Sequence, residues 1–384
     1  MKIRKICTTL DEDIRYEFSR AGIEITDEIL AQINTGLLFK AFEFTTEERD
    51  AFLNYLQARQ IRHWIGRGAF GVSVFLTFGY PEEIIRLADS PFGQHVFLAY
   101  KNSLKDQFHL KFPRGEYVID SPKLMGILNV TPDSFSDGGR YNSLDSALKH
   151  AGEMLEAGAD LIDIGAESTR PGAKALTEEE EWSRLKDIIP AIRKMTEVPI
   201  SLDTYKSEIA RRGLEEGVDI VNDISGMTFD RNMKKVVSDY QVPIILMHIK
   251  GTPQNMQRSP HYDLLMEEVW LFLNSQIEEA RQAGIQDIIV DAGIGFGKRI
   301  EDNFELIRRQ KEFSTWGCPI LLGPSRKTFL KGTKDLPPAE RVWGTAAAIS
   351  AGIFTGAKIL RVHDLEEMGQ VREILTQVLS SRAK

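Results

Sequence analysis

The sequence predicts an α/β protein: a (β/α)8 TIM barrel preceded by a small α+β N-terminal domain. Three observations carry this. From Leu124 onward, eight short apolar runs alternate with amphipathic helical stretches. The alternation extends over roughly 255 residues, and barrels of this kind take about 250. The first 105 residues lack the rhythm and read as a separate unit. A doubly wound sheet would use fewer strands and a Gly-rich first turn, but the first loop here, TPDSFSDGG, has no GxGxxG.

Residues 1–105 read as an α+β extension. Thr45 and Thr46, followed by Glu47 and Glu48, open a helix through Arg59, with Phe52, Leu53, Tyr55 and Leu56 on its apolar side. Residues 68–79 (GAFGVSVFLTFG) form a β-branched and aromatic run between glycines, as in a buried strand. Pro81 falls in the first turn of a further helix. Arg62-His63-Trp64 and Gly66-Arg67-Gly68 suggest either an anion site or ordinary surface and turn residues. Residues 111–120 (KFPRGEYVID) suggest a hairpin turning at Arg114-Gly115.

The barrel, within residues 106–384, takes its strands from residues 124–128, 161–164, 200–202, 220–221, 243–247, 288–290, 320–322 and 359–362. Helices are expected over 143–157, 177–195, 207–216, 231–240, 263–283, 302–313, 338–354 and 365–379. Thr177 and Glu180 have capping-box spacing, and Gly158, Gly217 and Gly284 stand at helix stops.

Composition excludes several classes. The chain has 384 residues, 42% hydrophobic and 27% charged, with a formal net charge of −8. That balance argues against nucleic acid as a partner. The two cysteines, Cys7 and Cys318, form no metal-ligand spacing and fit a reducing compartment. No signal-peptide core or membrane-length apolar run is visible, so a cytoplasmic protein is expected.

Every strand of the barrel runs into polar residues. These are Asn129, the Glu167–Gly172 segment (ESTRPG), Asp203-Thr204, Asn222-Asp223, His248, Asp291, Ser325–Thr328 (SRKT), and Arg361, His363 and Asp364. Any one of them reads as a helix cap or turn residue. All eight together read as an active-site rim, because this fold gathers catalytic groups at the C-terminal strand ends. Arg361 and His363 share one strand face and could form an anion pocket, with Arg326 and Lys327 on the preceding loop. Asp203, Asn222 and Asp291 suit a flat heterocycle rich in N–H donors, such as an aminopyrimidine, with Lys327 compensating the carboxylates. Gly293–Lys298 (GIGFGK) allows close backbone approach to a ligand, and Phe296 offers a flat apolar face.

These segments resemble the dihydropteroate synthase family of pterin-binding enzymes. The matching stretches are MGILNVTPDSFSDGG from Met125, ESTRPG, SLDT, VNDI, LMH with GTPQNMQ, GIGFGK, SRK and RVHD. They run in order over about residues 108–380. The resemblance implies condensation of 6-hydroxymethyl-7,8-dihydropterin pyrophosphate with p-aminobenzoate in folate biosynthesis. It implies pterin contacts from Asp203, Asn222, Asp291, Lys327 and Phe296. Asn129, Thr169, Arg170, Arg361 and His363 would hold the pyrophosphate, and Asn129 a Mg2+ ion. Thr169, Pro171, Phe296 and Thr328 would meet p-aminobenzoate. Asp203, Lys327, Thr169 and Arg170 would carry catalysis, residues 131–139 and the Thr169-Arg170 loop would be mobile, and the enzyme would be a homodimer.

The sequence departs from the family pattern at Ala292 and Ile294 after Asp291, at Pro324 before SRK, and at Ala166 before Glu167. None of these removes a polar group. Residues 1–105 show no resemblance to the pterin pyrophosphokinase fused to some synthases. Two other functions share the Asp and Asn set. A corrinoid-linked pterin methyltransferase would not need ESTRPG, SRK and a pyrophosphate pocket; a catalytically silent pterin-binding regulatory protein would bind pterin without turnover.

Overall fold

The computed structural model describes residues 1–7, 10–34, 36–68, 71–130, 140–169, 172–332 and 335–381. The chain divides into two compact units, one comprising Met1–Lys105 and Lys311–Cys318, the other Asp106–Gln310 and Pro319–Lys384.

The first unit holds a four-stranded antiparallel sheet in the order β1 (Lys2–Ile6), β2 (Leu37–Phe42), β4 (Gly71–Phe78), β3 (His63–Gly68). Both faces of this sheet are covered, so β2 and β4 read as continuous apolar runs instead of alternating ones. Phe39, Leu76 and Phe78 pack with Phe52 and Leu56 of α3 (Thr46–Ala58) and Val96 of α5 (Pro91–Ser103). Leu38 and Phe75 pack on the other face with Phe18 of α1 (Asp11–Arg20) and Ile33 of α2 (Asp27–Asn34). A capping box opens α3, with the Thr45 side chain accepting from the Glu48 amide. Pro81 opens α4 (Pro81–Ile85). Arg62 precedes β3, and His63, Trp64, Gly66, Arg67 and Gly68 lie along that edge strand, paired from His63–Leu76 to Gly68–Gly71. Four buried charges of this unit pair with one another: Arg4 with Glu17 and Glu312, and Lys40 with Glu17.

The second unit begins with a hairpin, β5 (Phe108–Phe112) and β6 (Gly115–Ile119), turning at Pro113-Arg114. A closed barrel of eight parallel strands follows: β7 (Lys123–Asn129), β8 (Leu161–Gly165), β9 (Ile200–Asp203), β10 (Ile220–Asp223), β11 (Ile244–Met247), β12 (Ile288–Asp291), β13 (Ile320–Leu322) and β14 (Ala357–Val362). The helices of this unit are α6 (Arg140–Glu156), α7 (Glu178–Leu185), α8 (Ile188–Met195), α9 (Ser207–Glu215), α10 (Met233–Tyr240), α11 (Leu265–Gln282), α12 (Ile300–Arg309), α13 (Val342–Phe354) and α14 (Leu365–Ser380).

The helix expected over 177–195 is two helices. Pro190 has no N–H to donate to the carbonyl of Lys186, the residue that caps α7, so the helix breaks there. The stretch after α12 continues as a 3-10 segment, Gln310–Trp316. Hairpin residues Phe108, Leu110 and Ile119 pack against the apolar end of the barrel interior. Arg114 fixes the hairpin turn by donating to both carboxylate oxygens of Asp219, at 2.8 and 2.9 Å.

Candidate active site

The barrel interior changes character along its strands. One layer is apolar and includes Met125, Leu161, Ile220, Ile245, Ile289, Leu321 and Ile359. A strand returns to the same face every second residue. Two positions onward from Leu161, Ile220, Ile289 and Ile359 stand Asp163, Asn222, Asp291 and Arg361. Asp203 follows Ser201 in the same way on β9. Strands β8, β10, β12 and β14 thus carry an apolar anchor and a polar group on one face, so a packed floor lies beneath a charged mouth.

Asp163 joins these groups. Its side chain is fully buried and accepts Arg361 Nε at 2.6 Å. It also accepts Asn222 Nδ2, at 3.1 and 3.3 Å to its two oxygens. Arg361 Nη2 donates to Asp203 Oδ2 at 2.9 Å. Burial pushes the Asp203 carboxyl above its ordinary range, against the opposing pull of Arg361. Gly165 stands between Asn129 and Asp203 in the strand register, so no side chain intervenes there.

Across the mouth, Asp291 Oδ1 accepts the Gly293 amide at 2.7 Å. Burial raises its pKa, with Lys327 opposing. Lys327 donates to the Ile294 carbonyl and lies 4.7 Å from the centre of the Phe296 ring. Burial pulls its pKa down to about 8, although Asp291 favours the charged form. The glycine loop is held from beneath by Lys298, whose Nζ contacts His248 Nδ1 at 2.9 Å and donates to the His248 and Phe296 carbonyls at 3.3 and 2.9 Å. Gly293 has φ +69°, and a Cβ there would meet the His248 carbonyl oxygen at 1.9 Å, so this turn requires glycine.

The loop after β8 is tied at both ends. Glu167 accepts the Leu176 amide at 3.0 Å and the Tyr205 hydroxyl at 2.5 Å, and it pairs with Lys206. Lys206 pairs in turn with buried Glu181. On the far side, Ser325 Oγ contacts His363 Nδ1 at 3.0 Å. Arg326 pairs with Asp364, which engages a charge that the sequence offered as part of an anion pocket.

The structure therefore gathers Asp203, Asn222, Asp291, Lys327, Arg361 and Phe296. Asn129 ends β7 in register with Gly165, and His363 follows β14. Thr169 is half-buried in the loop after β8, and Thr328 is exposed at the start of a 3-10 turn. Arg170, Pro171 and residues 131–139 lie outside the described residues. Asp223 points away from the mouth and accepts the amides of Ser225 and Met227, at 2.7 and 2.9 Å, which makes it a loop anchor. Asp163 and Lys298 were not among the candidates. The signal for Asp163 was a carboxylate inside an apolar strand, at the same parity as Leu161.

The model for pterin binding enzymes matches residues 125–363. The chain belongs to the pterin-binding enzyme family. It is 46% identical over 279 residues to the dihydropteroate synthase of Synechocystis sp., covering 71% of this chain and 96% of that protein. A crystal structure of Yersinia pestis dihydropteroate synthase with a sulfonamide drug complex superposes with a TM-score of 0.68 at 39% identity, covering 71% of this chain and 100% of that one. The Xanthomonas albilineans dihydropteroate synthase in complex with 7,8-dihydropteroate gives 0.65 at 34% identity, covering 72% and 100%. The family match leaves residues 1–124 outside it.

Proposed function

We propose that the chain is a dihydropteroate synthase. This transferase condenses 6-hydroxymethyl-7,8-dihydropterin pyrophosphate with p-aminobenzoate, giving 7,8-dihydropteroate and pyrophosphate. The observation that carries the reading is the convergence of Asp203, Asn222, Asp291 and Lys327 on one mouth above an apolar floor, in a chain that spans 96% of a dihydropteroate synthase's length.

The chemistry breaks the bond between the pterin methylene carbon and its ester oxygen, and the electron pair leaves with pyrophosphate. The arylamine nitrogen then forms the new bond to carbon and loses a proton. Positive charge develops on the pterin-methylene unit, and Asp203 faces it as a fixed counter-charge. Asp291 and Asn222 accept the ring N–H groups, while Lys327 serves a ring acceptor beside the Phe296 face. Arg361 and His363, with Asn129, Thr169 and Arg170, hold the anion. Thr169, Pro171, Phe296 and Thr328 receive p-aminobenzoate. Closure of the loop that carries Thr169 would exclude water, the competing nucleophile.

Mg2+ fits this site as an ion that arrives with the pyrophosphate. Among the described residues no group of three or more His, Cys, Asp or Glu side chains could hold a metal, and Mg2+ bound to phosphate needs only one or two protein oxygens. The Asn129 amide oxygen would be that ligand, and the ion would neutralise charge on the leaving anion.

We also propose a homodimer. Trp343, Ala347, Ala351 and Phe354 form an exposed stripe on α13, and Trp343 is 81% exposed. Trp343→Glu is expected to shift the sedimenting species to the monomer. A cytoplasmic location agrees with two free cysteines, and among the described residues no helix is long and apolar enough to cross a membrane.

Incubation with both substrates followed by mass detection tests the reaction. The expected product is 7,8-dihydropteroate in equal yield with pyrophosphate. Transfer of a methyl group to a corrinoid, or pterin binding without product, would replace this reading.

A further inference from the structure

We propose that Asp163 fixes the amide orientation of Asn222 and thereby determines which ring the site accepts. This rests on the pterin reading above. The residue touches no ligand; it is a positioning residue.

Asp163 is 0% exposed and ion-paired with Arg361, so its carboxylate accepts and does not donate. Asn222 meets it with Nδ2, at 3.1 and 3.3 Å. The amide is thereby oriented, because turning it over would set Oδ1 against carboxylate oxygens. Asn222 Oδ1 is left as its remaining acceptor. Asp203 and Asp291 are acceptors as well, so the three groups offered to a ring form a wall that accepts. A 2-amino ring satisfies that wall; a 2-oxo ring sets oxygen against oxygen. The same carboxylate holds Arg361 Nε at 2.6 Å, Arg361 Nη2 goes to Asp203, and Nη1 is left for an anion. One buried side chain thus sets the hydrogen-bonding polarity on both the ring side and the anion side.

This gives a prediction that a merely structural role does not. In Asp163→Asn, the guanidinium can only donate, so it claims the new amide oxygen. The new amide nitrogen then faces Asn222, which must turn its oxygen inward and its NH2 toward the ring. The ring preference should shift, beyond any general loss of affinity. In Asp163→Asn/Asn222→Asp, the second carboxylate accepts from both the new amide and the ring, which restores the original polarity.

The test is titration calorimetry of the full chain and both variants with 6-hydroxymethylpterin and with 6-hydroxymethyllumazine, its 2-oxo counterpart. The wild-type chain should prefer the pterin by about 100-fold, as expected when a buried acceptor is left facing an acceptor. D163N should reduce that ratio to below about 10-fold, and the double variant should return it to within about 3-fold of wild type. An unchanged ratio in D163N, or no recovery in the double variant, overturns the proposal while leaving the pterin reading intact. Should D163N not fold, the double variant still decides: a pterin preference within about 3-fold of wild type supports the proposal, and a ratio below about 10-fold, or equal affinity of the wild-type chain for the two rings, overturns it. Failure of the wild-type chain to bind the pterin at all removes the functional reading, and the proposal with it.

Discussion

Arg361 and Asp203 meet at 2.9 Å although they stand on β14 and β9, with β7 and β8 between them in the barrel. The contact crosses the mouth, so it reports on the closed barrel and not on any one strand pair. Asp163, on β8, accepts from the same guanidinium. Arg361→Met leaves two carboxylates without their cation, one of them fully buried. Loss of about 3 kcal/mol in chemical denaturation is expected, with activity abolished. Arg361→Lys keeps the charge but not the fork, and should retain most of the stability and little of the activity.

Lys327 gives the pH dependence. Its folded pKa, about 8, lies below its ordinary value because of burial. The charged ammonium is thus penalised in the folded state at neutral pH, and ligand-free stability rises as pH climbs from about 8 through the unfolded value. Activity should run the other way: kcat/KM for the pterin ester falls on the basic side with an apparent pKa near 8. Lys327→Arg should remove that limb from the pH–rate profile. Lys327→Met should raise the midpoint of urea unfolding at pH 7 while abolishing pterin binding.

Glu167 predicts a split between the two substrates. It holds Leu176 N–H, Tyr205 Oη and Lys206, which fastens the loop carrying Thr169. Glu167→Gln should raise KM for p-aminobenzoate about 10-fold, with pterin affinity changed by less than about 2-fold. Steady-state kinetics varying each substrate in turn checks this. Equal effects on both substrates would contradict the loop assignment.

The opposite end of the barrel should matter to stability alone. Asp219 accepts Arg114, Arg193 and the Ile200 amide. Asp219→Ala leaves these donors without their carboxylate and should lower stability by about 3 kcal/mol. At temperatures where the variant stays folded, kcat should hold within about 2-fold, because conserved function in this fold sits at the other end of the strands.

All eight barrel strands were legible, because a parallel strand buried on both faces reads as a short apolar run. Their polar exits were legible only as a set, since any one of them reads as a cap or turn residue, which is what Asp223 is. Asp163 was hidden by the opposite circumstance. It lies inside the run, and its partners Asn222 and Arg361 are 59 and 198 residues away. The split between α7 and α8 could have been read from Pro190, but the apolar spacing continued through it. The N-terminal sheet was harder. Lys2–Ile6 carries three basic residues, yet Arg4 is 0% exposed because Glu17 and Glu312 meet it. Nothing near it in sequence marks Glu312 as its partner.

Pyrophosphate release from 6-hydroxymethyl-7,8-dihydropterin pyrophosphate, followed with and without p-aminobenzoate, is the most direct test. The full chain should release pyrophosphate in step with dihydropteroate, and only at a low rate without the arylamine. Asp203→Asn should keep the wild-type far-ultraviolet spectrum and slow turnover by about 100-fold or more. Undiminished turnover in that variant, or no p-aminobenzoate-dependent release by the wild-type chain, would contradict the assignment of this barrel mouth as a dihydropteroate synthase site.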